Sequence, residues 1–241
     1  MTQALLLTGV RLLDAAGERA GWLRVDGGRI AALGADDAPA SARAGAEVLA
    51  GADGRLTPAF VDLHLHGGGG ASVGEPGAVP AVLAAHRDGG TGIAVLSLVS
   101  APLAELEGTL EALRPHVEAD PRIAGVHLEG PFLSPARAGA HDVSALIDPD
   151  PAAVQRLLGA GMGILRRITL APELPGALDA IEALAGAGVE VSVGHTEADY
   201  ATVREAFARG ARSLTHAFNA MPGITGRAPG PVAAAIDDGS A

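Results

Sequence analysis

From Thr57 onward the chain alternates short apolar runs with helix-like stretches, and this alternation constrains its fold more than any other feature. Strands are predicted over 59–66, 92–99, 123–129, 167–171, 189–195 and 213–218. Helices are predicted over 79–87, 103–117, 152–158, 177–185 and 198–209, the last with Thr196 as N-cap and Gly210 as C-cap. Such a rhythm predicts a parallel sheet covered by helices. The count is six strands, whereas a closed (β/α)8 barrel needs eight and typically about 250 residues. A doubly wound open sheet closes at six and is the competing architecture. No Gly-x-Gly-x-x-Gly fingerprint follows the first strand; His64-x-His66 and four glycines at 67–70 stand there instead.

Residues 1–56 read differently. Short apolar runs at 5–7, 11–13, 22–25 and 29–33 are separated by glycine-containing breaks. Asp26-Gly27-Gly28 is a hairpin turn signal, because glycine accepts positive φ. A loose Ala/Asp/Gly segment is expected over 35–54. The expected organisation is a small β unit over 1–56 followed by a larger α/β unit over 57–241. Hydrophobic residues make up 48% of the chain, with four Phe, one Trp and one Tyr. Its core must therefore be built from Ala, Val, Leu and Ile, which suits helices packed closely on a parallel sheet.

A net charge of −11 argues against a broad nucleic-acid or anionic-membrane surface. No apolar run approaches the roughly 18 residues of a membrane span. The absence of cysteine excludes disulfides and thiolate metal sites. A cytoplasmic protein that meets neither nucleic acid nor membrane is the expectation.

Polar residues recur at the downstream ends of the predicted strands. His64 and His66 end the first, Glu129 the third, His195 the fifth, and His216 lies near the end of the sixth. In a parallel barrel all these ends face one rim, so the side chains can converge. Residues i and i+2 of a strand share a face, which lets His64 and His66 act together. A lone strand-end histidine is more often structural than a ligand, but four with a glutamate on one rim predict a metal site. Neutral imidazoles and a carboxylate suit Zn²⁺ and similar divalent ions. His86 and His116 fall in predicted helices and are expected to be solvated. His127 shares the face of Glu129 and could at most support a ligand.

The segment Thr57-Pro58-Ala59-Phe60-Val61-Asp62-Leu63-His64-Leu65-His66-Gly67 resembles the first-strand signature of the amidohydrolase superfamily. Within that superfamily, His127-Leu128-Glu129-Gly130-Pro131-Phe132-Leu133-Ser134, followed by Arg137-Ala138-Gly139-Ala140-His141, resembles the N-acetylglucosamine-6-phosphate deacetylases. Gly194-His195-Thr196 and Thr215-His216-Ala217-Phe218-Asn219-Ala220-Met221, with Arg227 behind, agree with that likeness. His-x-His is common to many hydrolases, whereas the His-Leu-Glu-Gly-Pro-Phe and Asn-Ala-Met blocks are narrow.

The resemblance implies an incomplete (β/α)8 TIM-type barrel of about six strands beside the small N-terminal β unit, and hydrolysis of the acetamide of N-acetylglucosamine 6-phosphate to glucosamine 6-phosphate and acetate. It implies that Glu129, His195 and His216 hold the main ion, and that His64 and His66 hold a second ion in those members that keep both. Ala140 and His141 would contact the sugar, Asn219 and Ala220 would hold the phosphate, and Arg227 would bind phosphate across a homodimer. Ala138 departs from a usual basic residue and Thr196 from a common serine. The family's proton-transferring aspartate would fall beyond Ala241, so this length of chain is expected to be weakly active or inactive. The alternatives are an amidohydrolase with another amide substrate and a non-catalytic binder of metal or sugar phosphate.

Overall fold

In the computed structural model, which describes residues 3–239, the chain divides into two compact units between Ala59 and Phe60. The first unit is a small β structure. Strand β1 (Ala4–Asp14) pairs antiparallel with β2 (Gly17–Asp26), which pairs antiparallel with β3 (Arg29–Ala35). Gly27 and Gly28 both have positive φ, 57° and 77°, as the two-residue hairpin between β2 and β3 requires. The two runs expected at 5–7 and 11–13 belong to the single strand β1, whose register shifts between Leu7 and Val10, where Gly9 has φ 60°.

The segment expected to be loose over 35–54 is ordered. It contains the one-turn helix α1 (Ala40–Arg43) and strand β4 (Ala46–Ala50), and strand β5 (Arg55–Leu56) follows; both strands pair parallel with β1. Its composition hid this because Leu6, Trp22, Ala38 and Ala42 pack together only in three dimensions.

The second unit holds the parallel sheet. Its strands are β6 (Phe60–Leu65), β9 (Thr91–Leu98), β10 (Ile123–Glu129), β11 (Leu165–Leu170), β12 (Glu190–Val193) and β13 (Ala211–Leu214). A short hairpin, β7 (Gly67–Gly68) with β8 (Ala71–Ser72), follows β6. Helices α2 (Val79–Asp88), α3 (Leu103–Ala119), α4 (Pro151–Ala160), α5 (Ala177–Gly186), α6 (Tyr200–Ala208) and α7 (Gly230–Asp238) alternate with the strands. Among the described residues the six long strands lie side by side in chain order. A doubly wound sheet reverses strand order at a switch point, and this one does not. The architecture is an incomplete TIM-type barrel with helices on one face.

Strand alternation sorts the residues onto two faces. Ala94, Leu96, Leu98, Val126, Leu128, Ile168, Leu170, Val191 and Val193 face the helices and are buried. They meet helical stripes such as Leu106, Leu110 and Leu113 of α3, and Ala180, Ile181 and Leu184 of α5. Each fully buried leucine or isoleucine here contributes about 1.5–3 kcal/mol. Of the residues between them, Ser97, His127, Glu129, Arg167, Thr169 and Ser192 lie on the other face and are also buried, together with Val95. That inner face carries a buried polar layer, where barrels of this kind are mostly filled by Val, Ile and Leu.

The predicted strands and helices are found within a few residues, with two consequential exceptions. The sixth strand ends at Leu214 instead of continuing to Phe218. Helix α6 begins at Tyr200 with Asp199 as its N-cap, accepting from Thr202 N, and Arg209 is its C-cap. Thr196 is diverted because its hydroxyl donates to Glu173 Oε2 and accepts from Ala198 N at 2.9 Å.

Candidate metal centre

Glu129 ends β10 with a side chain only 3% exposed, and five imidazoles aim Nε2 at its carboxylate. Oε1 lies 2.8 Å from His216 Nε2 and 3.1 Å from His195 Nε2. Oε2 lies 2.8 Å from His66 Nε2, 3.2 Å from His64 Nε2 and 3.5 Å from His141 Nε2. His64 Nε2 and His66 Nε2 are themselves 2.8 Å apart. Two nitrogens at that distance cannot both aim a proton at each other, and a carboxylate offers about four lone-pair sites. Lone pairs converging on a shared cation fit the arrangement better than five N–H donors do.

The outer nitrogens decide which rings can be ligands. His66 Nδ1 lies 3.1 Å from the Ser97 carbonyl and His195 Nδ1 lies 2.8 Å from the Arg137 carbonyl. A carbonyl only accepts, so Nδ1 carries the proton in both rings and Nε2 is free to coordinate. His141 is the reverse. Its Nδ1 accepts from the Ser100 backbone N–H at 3.2 Å, so the neutral ring carries its proton on Nε2. Among the described residues, two groups have ligand atoms close enough to hold an ion, His64–Glu129–His216 and Glu129–His141–His195. By distance His141 belongs to the second, but its tautomer makes it a hydrogen-bond donor. The remaining donors, neutral imidazole and carboxylate, fit a divalent ion such as Zn²⁺.

Backbone strain concentrates here. His195 and His216 lie just past their strands with φ of 48° and 54°, and Phe218 and Ala220 follow at 72° and 50°. Such conformations cost of order 1–3 kcal/mol each for residues other than glycine and persist only where the surroundings enforce them. Asn219 N–H closes a tight turn onto the His216 carbonyl at 2.5 Å, and Thr196 N–H donates to the Ala220 carbonyl at 3.0 Å. Two glycines are required by close approach. A Cβ on Gly130 would lie 2.1 Å from Ser100 Oγ, and one on Gly194 would lie 2.9 Å from Thr169 and Thr215 side chains.

Burial alone would push the Glu129 carboxyl up, but the surrounding imidazoles of His141, His195, His64 and His66 hold it well below the usual carboxylate range. It is ionised at neutral pH. His127 is fully buried, and burial followed by the neighbouring His64 and Arg167 drives it down to about 2, so the ring is neutral. Burial lowers His195, but the Glu129 carboxylate and the Arg137 carbonyl outweigh it and raise the ring overall. Burial prevails at His216, which is lowered.

The other predicted site residues are placed as follows. Ala140 is exposed beside His141, whose ring stacks edge-on against His195 with centroids 4.8 Å apart. Asn219 and Arg227 are exposed; Arg227 lies in the loop closed by Thr225 and Ala228. Asp237 and Asp238 engage Tyr200 and Arg204 of helix α6, away from the cluster. His86 is not free in solvent as its helical position suggests; its Nε2 donates to the Gly67 carbonyl at 2.8 Å.

Sequence reasoning passed over Ser97, Ser100, Arg137 and Glu173. Glu173 accepts from both Thr196 Oγ1 and Glu197 N, tying the β11 exit to the His195 turn. Only Ser97 had a signal, its place on the inner face of a strand.

Residues 55–240 match the amidohydrolase family. Among curated proteins, the chain is 35% identical over 190 residues to an N-acetylgalactosamine-6-phosphate deacetylase of Escherichia coli O157:H7, covering 76% of this chain and 50% of that one. It is 34% identical over 202 residues to the N-acetylglucosamine-6-phosphate deacetylase of Bos taurus, covering 76% and 47%. The crystal structure of N-acetyl-D-glucosamine-6-phosphate deacetylase from Mycobacterium smegmatis superposes with a TM-score of 0.87 at 42% identity, covering 95% of this chain and 60% of that one. The chain thus spans about half the length of the curated relatives it matches. No helix among the described residues is long and apolar enough to cross a membrane.

Proposed function

We propose, from the premise that this chain belongs to the amidohydrolase family, that it carries the metal-binding half of a deacetylase for an N-acetylated amino-sugar 6-phosphate. The observation that carries this reading is the convergence of imidazole Nε2 atoms on both oxygens of Glu129. Glu129, His195 and His216 would hold one ion, and His64 and His66 would hold a second beside Oε2. A bound divalent ion, taken here as Zn²⁺, supplies Lewis-acid polarisation of an amide carbonyl and a lowered pKa for water.

His141 has a different task. Its Nε2–H, fixed by the Ser100 backbone, is a ready donor for an acetamide oxygen as negative charge develops there. Ala140 sits beside it at the surface, and the turn of exposed Asn219 and half-buried Ala220 is the proposed phosphate seat. Arg227, an exposed guanidinium, would clamp phosphate bidentately in the neighbouring subunit of a homodimer. Glu129, held ionised by its neighbours, serves in this reading as a ligand.

Acetate release from N-acetylglucosamine 6-phosphate and N-acetylgalactosamine 6-phosphate by the Zn²⁺-loaded chain tests the proposal. Release is expected to be abolished by chelation and by His195→Ala. Turnover that survives both treatments would overturn the metal assignment. A rate of about 1–10³ s⁻¹ would place the acid/base within this chain.

A further inference from the structure

We propose that Ser97 is a positioning residue for the His64/His66 pair and that His127 holds its hydroxyl in place. The proposal rests on the metal reading above. Strand β6 pairs with β9 through Phe60, Val61 and Asp62, and again at Leu65, but the register breaks between Asp62 and Leu65. His64 lies in that break. Two side chains replace the ladder there: Asp62 Oδ1 accepts from His64 N–H at 3.0 Å, and Ser97 Oγ accepts from Leu65 N–H at 3.1 Å. The carbonyl of the same serine accepts from His66 Nδ1 at 3.1 Å. Ser97 thus grips the segment at the Leu65 backbone, between the two histidines, and at the His66 ring.

Ser97 is itself held. It is 1% exposed, and its Oγ lies 2.9 Å from His127 Nδ1. His127 Nε2 lies 2.8 Å from Thr169 Oγ1, which bonds Thr215 Oγ1 at 2.8 Å, which bonds Ser192 Oγ at 2.7 Å. A neutral imidazole donates at one nitrogen and accepts at the other, which suits a link between two hydroxyls. The His127 ring also stands edge-on to His64, with centroids 4.7 Å apart. Without the Ser97 hydroxyl, the buried Leu65 N–H has lost its partner. The strand can recover one by slipping towards the regular ladder, and a one-residue slip moves side chains to the opposite face. The effect should therefore reach the metal as well as the fold.

Zn²⁺ affinity of the full chain, measured by competition with a chromophoric chelator, tests this beside urea unfolding of the metal-free form. Ser97→Ala should weaken Zn²⁺ binding about 10–100-fold, as loss of a ligand's supporting partner does, and Ser97→Thr should restore it. Ser192→Ala, equally buried at the far end of the same chain of bonds, should lower stability while leaving Zn²⁺ affinity at the parent value. An affinity in Ser97→Ala equal to the parent, or reduced no further than in Ser192→Ala, overturns the proposal. Should Ser97→Ala fail to fold, His127→Gln takes its place, with an expected loss of about tenfold and the same overturning comparison. A parent chain that binds no Zn²⁺ overturns the metal reading as well.

Discussion

The two oxygens of Glu129 are served by histidines presented in different ways. On the Oε2 side, His64 and His66 come two residues apart along one strand segment, so a single placement delivers both. On the Oε1 side, His195 and His216 come from separate strands, and each stands past its strand end in left-handed backbone. The first side is an economy of sequence. It depends on a local break in strand pairing, held by Asp62 and Ser97. The second side depends on backbone conformations that neither residue prefers, enforced by turns and by contacts with Arg137 and Thr196. A strand pair supplies spacing at little conformational cost, whereas the turns supply direction at a cost in strain.

Glu129 joins the two sides, and its replacement should have the largest effect. In Glu129→Gln the amide keeps the shape but removes the charge that all five imidazoles face. Zn²⁺ affinity should fall by at least about a thousandfold, roughly 4 kcal/mol, in a chelator competition. A loss below about tenfold would mean that the two sides bind independently of the shared carboxylate.

Removing one side alone has a smaller expected effect. His64→Asn combined with His66→Asn should lower zinc content towards one ion per chain while Glu129, His195 and His216 retain theirs. Metal analysis of the purified double variant checks this. Unchanged content would reduce the strand pair to supports of a site built by the turns.

The smallest effect concerns the strain itself. Ala220 has φ 50° in the turn that carries His216. Left-handed backbone costs an L-residue about 1–2 kcal/mol, and part of that is returned as the extra unfolded-state freedom of glycine. Ala220→Gly should therefore raise stability by about 0.5–1 kcal/mol with Zn²⁺ affinity unchanged. A thermal melt showing no gain or a loss would show that the turn is not strained at that position.

Much of the candidate site was legible because its chemistry is local in sequence. His64-x-His66 needs only the two-residue period of a strand, and Glu129, His195 and His216 each follow an apolar run that forms a strand. The hairpin at Gly27-Gly28 was legible for the same reason, since two adjacent glycines encode it. Thr196 shows where local reading fails. Its type and position suit an N-cap, but Glu173, distant in sequence, takes its hydroxyl, and Asp199 caps the helix instead.

The sequence by itself determined the parallel alternation and the residue types gathered at the strand ends, because periodicity and side-chain chemistry are properties of short segments. Only the tertiary structure decided which nitrogen of His66, His195 and His141 carries the proton, since that depends on carbonyl and amide groups of Ser97, Arg137 and Ser100, far away along the chain. It also decided that the sixth strand stops at Leu214 and turns His216 inward, and that a buried polar layer runs from Ser97 through His127 to Ser192. Hydrogen bonds between distant residues leave no period in a sequence, so nothing short of the folded chain could reveal them.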